Sequence, residues 1–218
     1  MPRNRRSIPR ADREGAIVAV ARDLFVAKGY QATSVADVAR AAGVVGNAVH
    51  WYFPTKDDLF AAVLASIFAD HKSAAETDSA SPRDRLIATL SANQQLSGLH
   101  RDAYQRMENS GAVRAVYTEA QGWLHQLLVQ AIESELPEGA GIGAVPNFAQ
   151  ILVEGMCVTD RSAEGSVHEV VDLLLEALVA LATARDGAAD SRSRNANAAE
   201  PKSPDLVQHS APQTRPGP

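Results

Sequence analysis

Residues able to carry out covalent or metal chemistry are few in this chain and lie far apart. There is one cysteine, Cys157, and there are six histidines, none of them in an H-E-x-x-H zinc motif or in an E-x-x-H pair of the kind helical di-iron proteins use. The Gly139-x-Gly141-x-Gly143 stretch follows no strand pattern and does not match a dinucleotide fingerprint. A lone thiol makes neither an intramolecular disulfide framework nor a Cys-rich zinc module, and Cys157 reads as a small buried apolar residue in a reducing, cytoplasmic protein. An all-α enzyme is thus the weakest reading, and no catalytic residue, metal or cofactor is expected. The chemistry that the residues do favour is electrostatic. The net charge is −5, yet residues 1–56 hold 9 of the 21 Lys+Arg and only 4 of the 26 Asp+Glu. One basic segment on an acidic chain is the footprint of a phosphate-binding domain.

Helices must position these groups. The first eleven residues, with Arg3, Arg5, Arg6, Arg10 and two prolines, read as a flexible basic arm. From residue 12 to 28, Ile17, Val20, Ala21, Leu24 and Phe25 follow the i, i+3, i+4, i+7, i+8 series of an amphipathic helix that Gly29 stops. Thr33 or Ser34 can cap a short second helix; Ser34 and Asp37 have capping-box spacing, and Gly43 ends it. The apolar spacing resumes at Val45, Val49 and Phe53 before Pro54, so two short helices joined by a glycine turn form a helix-turn-helix over about 34–53. Thr55 caps a longer helix built on Leu59, Phe60, Val63, Leu64, Ile67 and Phe68. Further helical segments are predicted at about 83–107, 112–136, 146–158 and 166–185, with no strand among them. The fold class is therefore all-α: residues 12–71 a DNA-binding unit, 72–186 a helical bundle, and 187–218 a disordered tail. No stretch reaches the ~18 apolar residues of a membrane span, and no membrane partner is expected.

The run Gly29-Tyr30-Gln31-Ala32-Thr33-Ser34-Val35-Ala36-Asp37-Val38-Ala39-Arg40-Ala41-Ala42-Gly43-Val44, followed by Ala48-Val49-His50-Trp51-Tyr52-Phe53-Pro54-Thr55-Lys56-Asp57-Asp58-Leu59, resembles the TetR family of bacterial regulators. The resemblance covers about residues 12–68. It implies that the helix from about Val45 to Phe53 reads a major groove, with Val45, Gly46, Asn47 and Ala48 at the positions facing bases. Among those four only Asn47 can hydrogen-bond a base, ideally bidentate to adenine. The same match implies phosphate contacts from Thr33, Ser34, His50, Trp51, Tyr52 and Lys56. Phe53 is expected in the core, whereas Trp51 and Tyr52 suit either core or DNA. Three positions depart from the family's usual pattern: Val45 replaces Ser or Thr, His50 replaces Tyr, and Tyr52 replaces His. With Gly46 and Ala48 beside them, they shift the expected readout toward thymine methyl contacts and DNA shape.

For the rest of the chain the resemblance implies a two-fold homodimer on a palindromic double-stranded operator and a small-molecule effector bound among the middle helices. Tyr104, Met107, Tyr117, Trp123, Phe148 and Met156 are candidate cavity residues, and His100, Arg101, Asp102, Arg106, Glu108 and His125 lie on the same helices. Ordinary core packing and a solvated charged face are the competing accounts of those two sets. The apolar stripe of the last helix is wider than one neighbour requires, so Ile151, Leu152, Val170, Leu174 and Leu178 are candidate dimer contacts. A helical DNA-binding regulator governed by a protein partner instead of a ligand is the nearest alternative.

Overall fold

The structure, a computed structural model, describes residues 10–77, 80–137, 142–143, 145–158 and 166–198. Every regular element among them is an α-helix: α1 (Arg10–Lys28), α2 (Val35–Ala41), α3 (Gly46–Tyr52), α4 (Lys56–Thr77), α5 (Pro82–Gln95), α6 (Ser97–Arg106), α7 (Gly111–Glu135), α8 (Val145–Val158) and α9 (Val167–Ala198). Among the described residues no helix is long and apolar enough to cross a membrane.

The N-terminal helices form where local chemistry dictates. Ile17, Ala21 and Phe25 are the buried stripe of α1, and Gly29 closes it at φ +78°. Ser34 caps α2, its hydroxyl accepting from the Asp37 amide at 3.1 Å while the Asp37 carboxylate accepts from the Ser34 amide at 3.2 Å. Gly43 at φ +66° ends α2 in a Schellman turn: its own amide donates to Arg40 at 3.2 Å and the Val44 amide to Ala39 at 3.0 Å. That turn sets α3 across α2. Thr55 and Asp58 repeat the capping box at the start of α4.

Two hydrophobic clusters hold the helices together. The first gathers α1–α4 around Phe25, Phe60 and Leu64 and continues into Leu99 and Ala103 of α6 and Val113 and Tyr117 of α7. The second joins α5, α7, α8 and α9 through Leu86, Leu128, Ile132, Val153, Val171 and Leu178. The N-terminal unit therefore shares its core with the bundle, and α4 runs through the seam.

Three boundaries differ from the sequence expectation. The basic arm is shorter, because α1 starts at Arg10, whose guanidinium sits 4.4 Å from the centroid of the Trp51 ring; residues 1–9 lie outside the described residues. The helix expected at 83–107 is two helices broken at Leu96 (φ −112°, ψ 19°). Leu96 turns into the first cluster whereas Leu86, Ile87 and Leu90 face the second, and a straight helix cannot serve both. Ser97-Gly98, poor helix formers, absorb the bend. Finally, α9 continues past 186 to Ala198, so the expected disorder of the tail fails for 187–198, while 199–218 lie outside the described residues.

Candidate nucleic-acid interface and inner cavity

Val49, fully buried, and Phe53 pin α3 to the core. Their burial turns the opposite face of this two-turn helix outward: Asn47, His50 and Trp51 share it at i, i+3, i+4 spacing and all are exposed. Trp51 is 62% exposed and Val45 75%, large apolar surface for a short polar helix. Gly46 is exposed as well, and Ala48 and Tyr52 are half-buried. Trp51 meets the edge of Tyr52 at 4.8 Å and takes Arg10 on its other side, a cation–π contact that sequence spacing could not reveal. His50 Nδ1 lies 3.3 Å from the Pro54 carbonyl.

The phosphate role expected of Thr33 is corrected here. Thr33 is 1% exposed, and its hydroxyl lies 2.9 Å from the Gly29 carbonyl and 3.2 Å from that of Leu24, so it ties the α1–α2 turn together from inside. Ser34 does reach the surface, but its hydroxyl already donates to Asp37 at 2.6 Å. Lys56 opens α4 half-buried, with Nζ 4.0 Å from the Tyr30 ring centroid. Burial, helped by the nearby Arg106 charge, lowers its affinity for the proton.

Behind this face lies a charged joint between α4, α6 and the α1–α2 turn. Arg106 donates twice to Asp57, Nε at 3.1 Å and Nη2 at 2.6 Å, and the Tyr30 hydroxyl donates to the same carboxylate at 2.5 Å. The Tyr30 amide donates to Asp102 at 2.7 Å. Burial first, and the bond to Asp57 second, push the Tyr30 phenol up to about 12; burial alone would raise Asp57, but the bonds from Arg106 and Tyr30 outweigh it and hold that carboxyl low. Asp102 and Arg106 thus hold the seam of the molecule, a role their place on a charged helix face did not indicate.

The six candidate cavity residues separate. Tyr117 and Trp123 line an inner cavity together with Phe68, His71, Asn93 and His100. Tyr104 is 54% exposed on the outer side of α6, because Leu99 and Ala103 take the inner one, and so it lines no inner cavity. Met107 packs on the first core cluster. Met156 faces outward into a groove on α8 and α9, and the side chain of Phe148 lies outside the described ones. The sequence did hold a signal for one missed residue: Asn93 continues the buried Leu86–Leu90 stripe of α5, where an amide is out of place.

His100 is 5% exposed, and burial, reinforced by the neighbouring His71, lowers it to about 4 from its ordinary 6.5. The unfolded chain therefore takes up a proton that the folded one refuses, so this residue costs stability as pH falls from 6.5 toward 4 and costs nothing above. The full drop is worth about 3 kcal/mol. Replacing His100 by Asn is expected to flatten the fall in urea midpoint between pH 7 and pH 4.5; an unchanged fall would assign the acid sensitivity to other groups.

The α8–α9 groove, about 550 Å³, is lined by Ile151, Leu152, Val170, Leu173, Leu174 and neighbouring residues. Ile151 and Leu173 are each 68% exposed. Leu178 is corrected as a dimer contact: at 2% exposure it belongs, with Val171 and Leu175, to the α9 face packed inside the subunit. Among the described residues no group of three or more His, Cys, Asp or Glu could hold a metal ion.

Residues 17–63 match the family profile "Bacterial regulatory proteins, tetR family". Over the whole chain the fold is similar to a tetR-family transcriptional regulator from Streptomyces coelicolor, with a TM-score of 0.65, 19% identity, and 91% of this chain and 94% of that one covered. It is also similar to a transcriptional regulator from Rhodococcus sp. Rha1 (TM-score 0.62, 18% identity, 76% and 95% covered). A third similar structure is a transcriptional regulator from Saccharomonospora viridis in complex with choline (TM-score 0.57, 16% identity, 78% and 94% covered).

Proposed function

We propose that this chain, a member of the TetR family by its helix-turn-helix domain and its all-α fold, works as a homodimeric transcriptional repressor that a small molecule releases from a palindromic operator. The matched profile, over residues 17–63, is one of bacterial regulatory proteins. The observation that carries the reading for this chain is the posture of α3. Val49 and Phe53 anchor it, Asn47, His50 and Trp51 project from the opposite side, and Lys56 stands at the start of the next helix.

In this reading α3 lies in the major groove with Asn47 bidentate to an adenine, while Val45, Gly46 and Ala48 sense methyl groups and groove shape. His50, Trp51, Tyr52 and Lys56 face phosphates, and Ser34 joins them if its bond to Asp37 is exchanged. Residues 12–71 serve DNA, and 72–186 serve ligand and partner. The exposed apolar strip of Ile151, Leu152, Val170, Leu173 and Leu174 pairs with its copy to make a four-helix bundle of α8 and α9. Two recognition helices then meet half-sites about 34–36 Å apart, or a multiple of that.

Release of DNA is a population shift. An effector that binds the bundle better when the recognition helices are splayed weakens operator binding by its difference in affinity for the two conformations. The α4 helix is suited to carry that shift: Lys56 and Asp57 begin it, and Phe68 of the inner cavity follows about 18 Å along the axis. The choline held by the Saccharomonospora viridis protein, which has a similar fold, supports a small-molecule effector here.

Two substitutions test how the face divides. Lys56→Ala is expected to weaken binding to every sequence and to reduce the slope of log affinity against log salt by about 1 per subunit. Asn47→Ala is expected to cost about 1–3 kcal/mol per half-site at particular base pairs and leave the salt slope unchanged. Anisotropy titrations over a salt series with an operator and its point variants measure both, and the reverse pattern would overturn the division.

A further inference from the structure

Building on the ligand-responsive reading, we propose that the inner cavity selects a small organic cation bearing an N–H or O–H donor, such as a protonated amine. Three observations define that chemistry. Rings come first: Phe68, Tyr117 and Trp123 line the cavity, and the Phe68, His100 and Tyr117 rings form a triangle with centroids 6.1, 6.0 and 6.3 Å apart. Aromatic faces carry negative potential and attract a desolvated cation.

The second observation is a pair of unmet buried polar atoms. Among the described residues Asn93 Oδ1 and His100 Nδ1 make no hydrogen bond of full geometry, although the His71 ring lies close enough to the Asn93 amide to interact with it, and each residue is only 5% exposed. A carbonyl-type oxygen accepts and cannot donate, so Asn93 Oδ1 calls for a donor from whatever fills the space. A wholly apolar occupant would leave both atoms unsatisfied, which is costly in a buried site.

The third is charge. Glu154 is the sole carboxylate on the wall, and neither Lys nor Arg lines it among the described residues. Gln150 holds Glu154 Oε1 at 2.6 Å and is itself 3.2 Å from His125 Nδ1, which fixes the carboxylate in place. Burial pushes the Cys157 thiol up to about 11, and both His71 and His100 are held toward their neutral forms, so the negative charge of Glu154 has no compensating cation on the wall. An anion entering here would meet a carboxylate and neutral imidazoles, whereas a cation completes an ion pair.

The cavity has only about 30 Å³ of free space, about the share of one water molecule. Phe68, Ala120 and Trp123 also line a second, outer cleft of about 390 Å³ between α4 and α7. These residues are the partition between the two spaces. A ligand larger than water reaches Asn93 and Glu154 by displacing the Trp123 indole, so that cavity and cleft become one site.

Three probes of nearly equal size separate the charge classes: phenethylammonium, 2-phenylethanol and phenylacetate. Their binding to the full-length Trp51→Phe protein is followed by Trp123 fluorescence, Trp123 being then the one tryptophan left. The cation is expected to bind at least about tenfold more tightly than the alcohol, and the carboxylate more weakly than either. Glu154→Gln should narrow the gap between the cation and the alcohol, and Asn93→Leu should weaken both; circular dichroism confirms that each variant is folded. Equal affinities, preference for the anion, undiminished cation selectivity in Glu154→Gln, or no saturable binding of any probe at millimolar concentration would each overturn the assignment. Because the readout is binding to the protein alone, a cation that binds selectively yet leaves operator affinity unchanged would count against the effector reading and not against the cavity's chemistry.

Discussion

Glutamates placed together at Ile151 and Leu173 are expected to yield a folded monomer that binds operator DNA at least about 100-fold more weakly than the parent. Both side chains are 68% exposed in the single subunit, so their replacement removes little from its core. In the proposed dimer, a second copy across the α8–α9 groove would bury the same positions, and four carboxylates would enter an apolar interface without partners. Loss of the dimer turns one two-armed grip into two independent weak ones, and the effective concentration of the second arm is worth about 10²–10⁴ in affinity. Sedimentation and anisotropy on the same preparation check the two halves of this expectation. A variant that still sediments as a dimer would show that the pairing surface lies elsewhere.

Truncating Phe60 to Ala is expected to cost about 3–5 kcal/mol, a large part of the roughly 5–15 kcal/mol that holds a domain folded. Phe60 is fully buried, and it meets the Phe25 ring edge-on at 5.1 Å and the Tyr30 ring at 5.0 Å. Phe25, Val63 and Leu64 around it are themselves buried at 1% exposure or less, so they have little freedom to fill the void. The cluster includes Leu99 and Ala103 of α6, so loosening it also frees α6 from α4 and disturbs the Asp57–Arg106 joint. Urea unfolding followed by circular dichroism gives the cost directly, and a loss under about 1 kcal/mol would mean that the core repacks. The exposed Val26, 48% accessible on α1, is the matched control, where truncation should change stability little.

What was legible in the sequence was what local chemistry decides. The Ser34–Asp37 and Thr55–Asp58 boxes, the positive φ at Gly29 and Gly43, and the Ile17–Ala21–Phe25 stripe each depend on residues at most a few positions apart. The helix-turn-helix is made of such signals. Choices between faces were not legible, because they are made by partners distant in the chain. Thr33 has the right chemistry to meet a phosphate, but the Gly29 turn folds it inward. The α9 stripe contains Leu173 and Leu178 alike, and only packing on α5, α7 and α8 sends Leu178 inside and leaves Leu173 outside. Tyr104 and Tyr117 look equivalent as aromatic residues on neighbouring helices, yet one ends in solvent and the other in the cavity. Asn93, His100 and Glu154 come from three helices, and their meeting is a property of the bundle.

The joint of Tyr30, Asp57, Asp102 and Arg106 gives the proposed regulation a physical seat. It links the helix-turn-helix to α6 through four hydrogen bonds among four residues, next to the Lys56 that is proposed to touch phosphate. An effector that displaces Trp123 and Phe68 presses on α4 in the same helix that carries Asp57. In the proposed regulation, cavity and DNA face would be coupled through these packed side chains.

A mobility-shift titration decides whether this chain is a dimeric, sequence-specific DNA binder, as proposed. Purified protein is titrated against the intergenic DNA upstream of its own gene and against a pool of genomic fragments. Saturable binding at two subunits per site is expected, at a palindrome whose protected half-sites lie one or more helical turns apart. Failure to select any fragment from the genomic pool, with the protein folded and dimeric, would contradict the proposal.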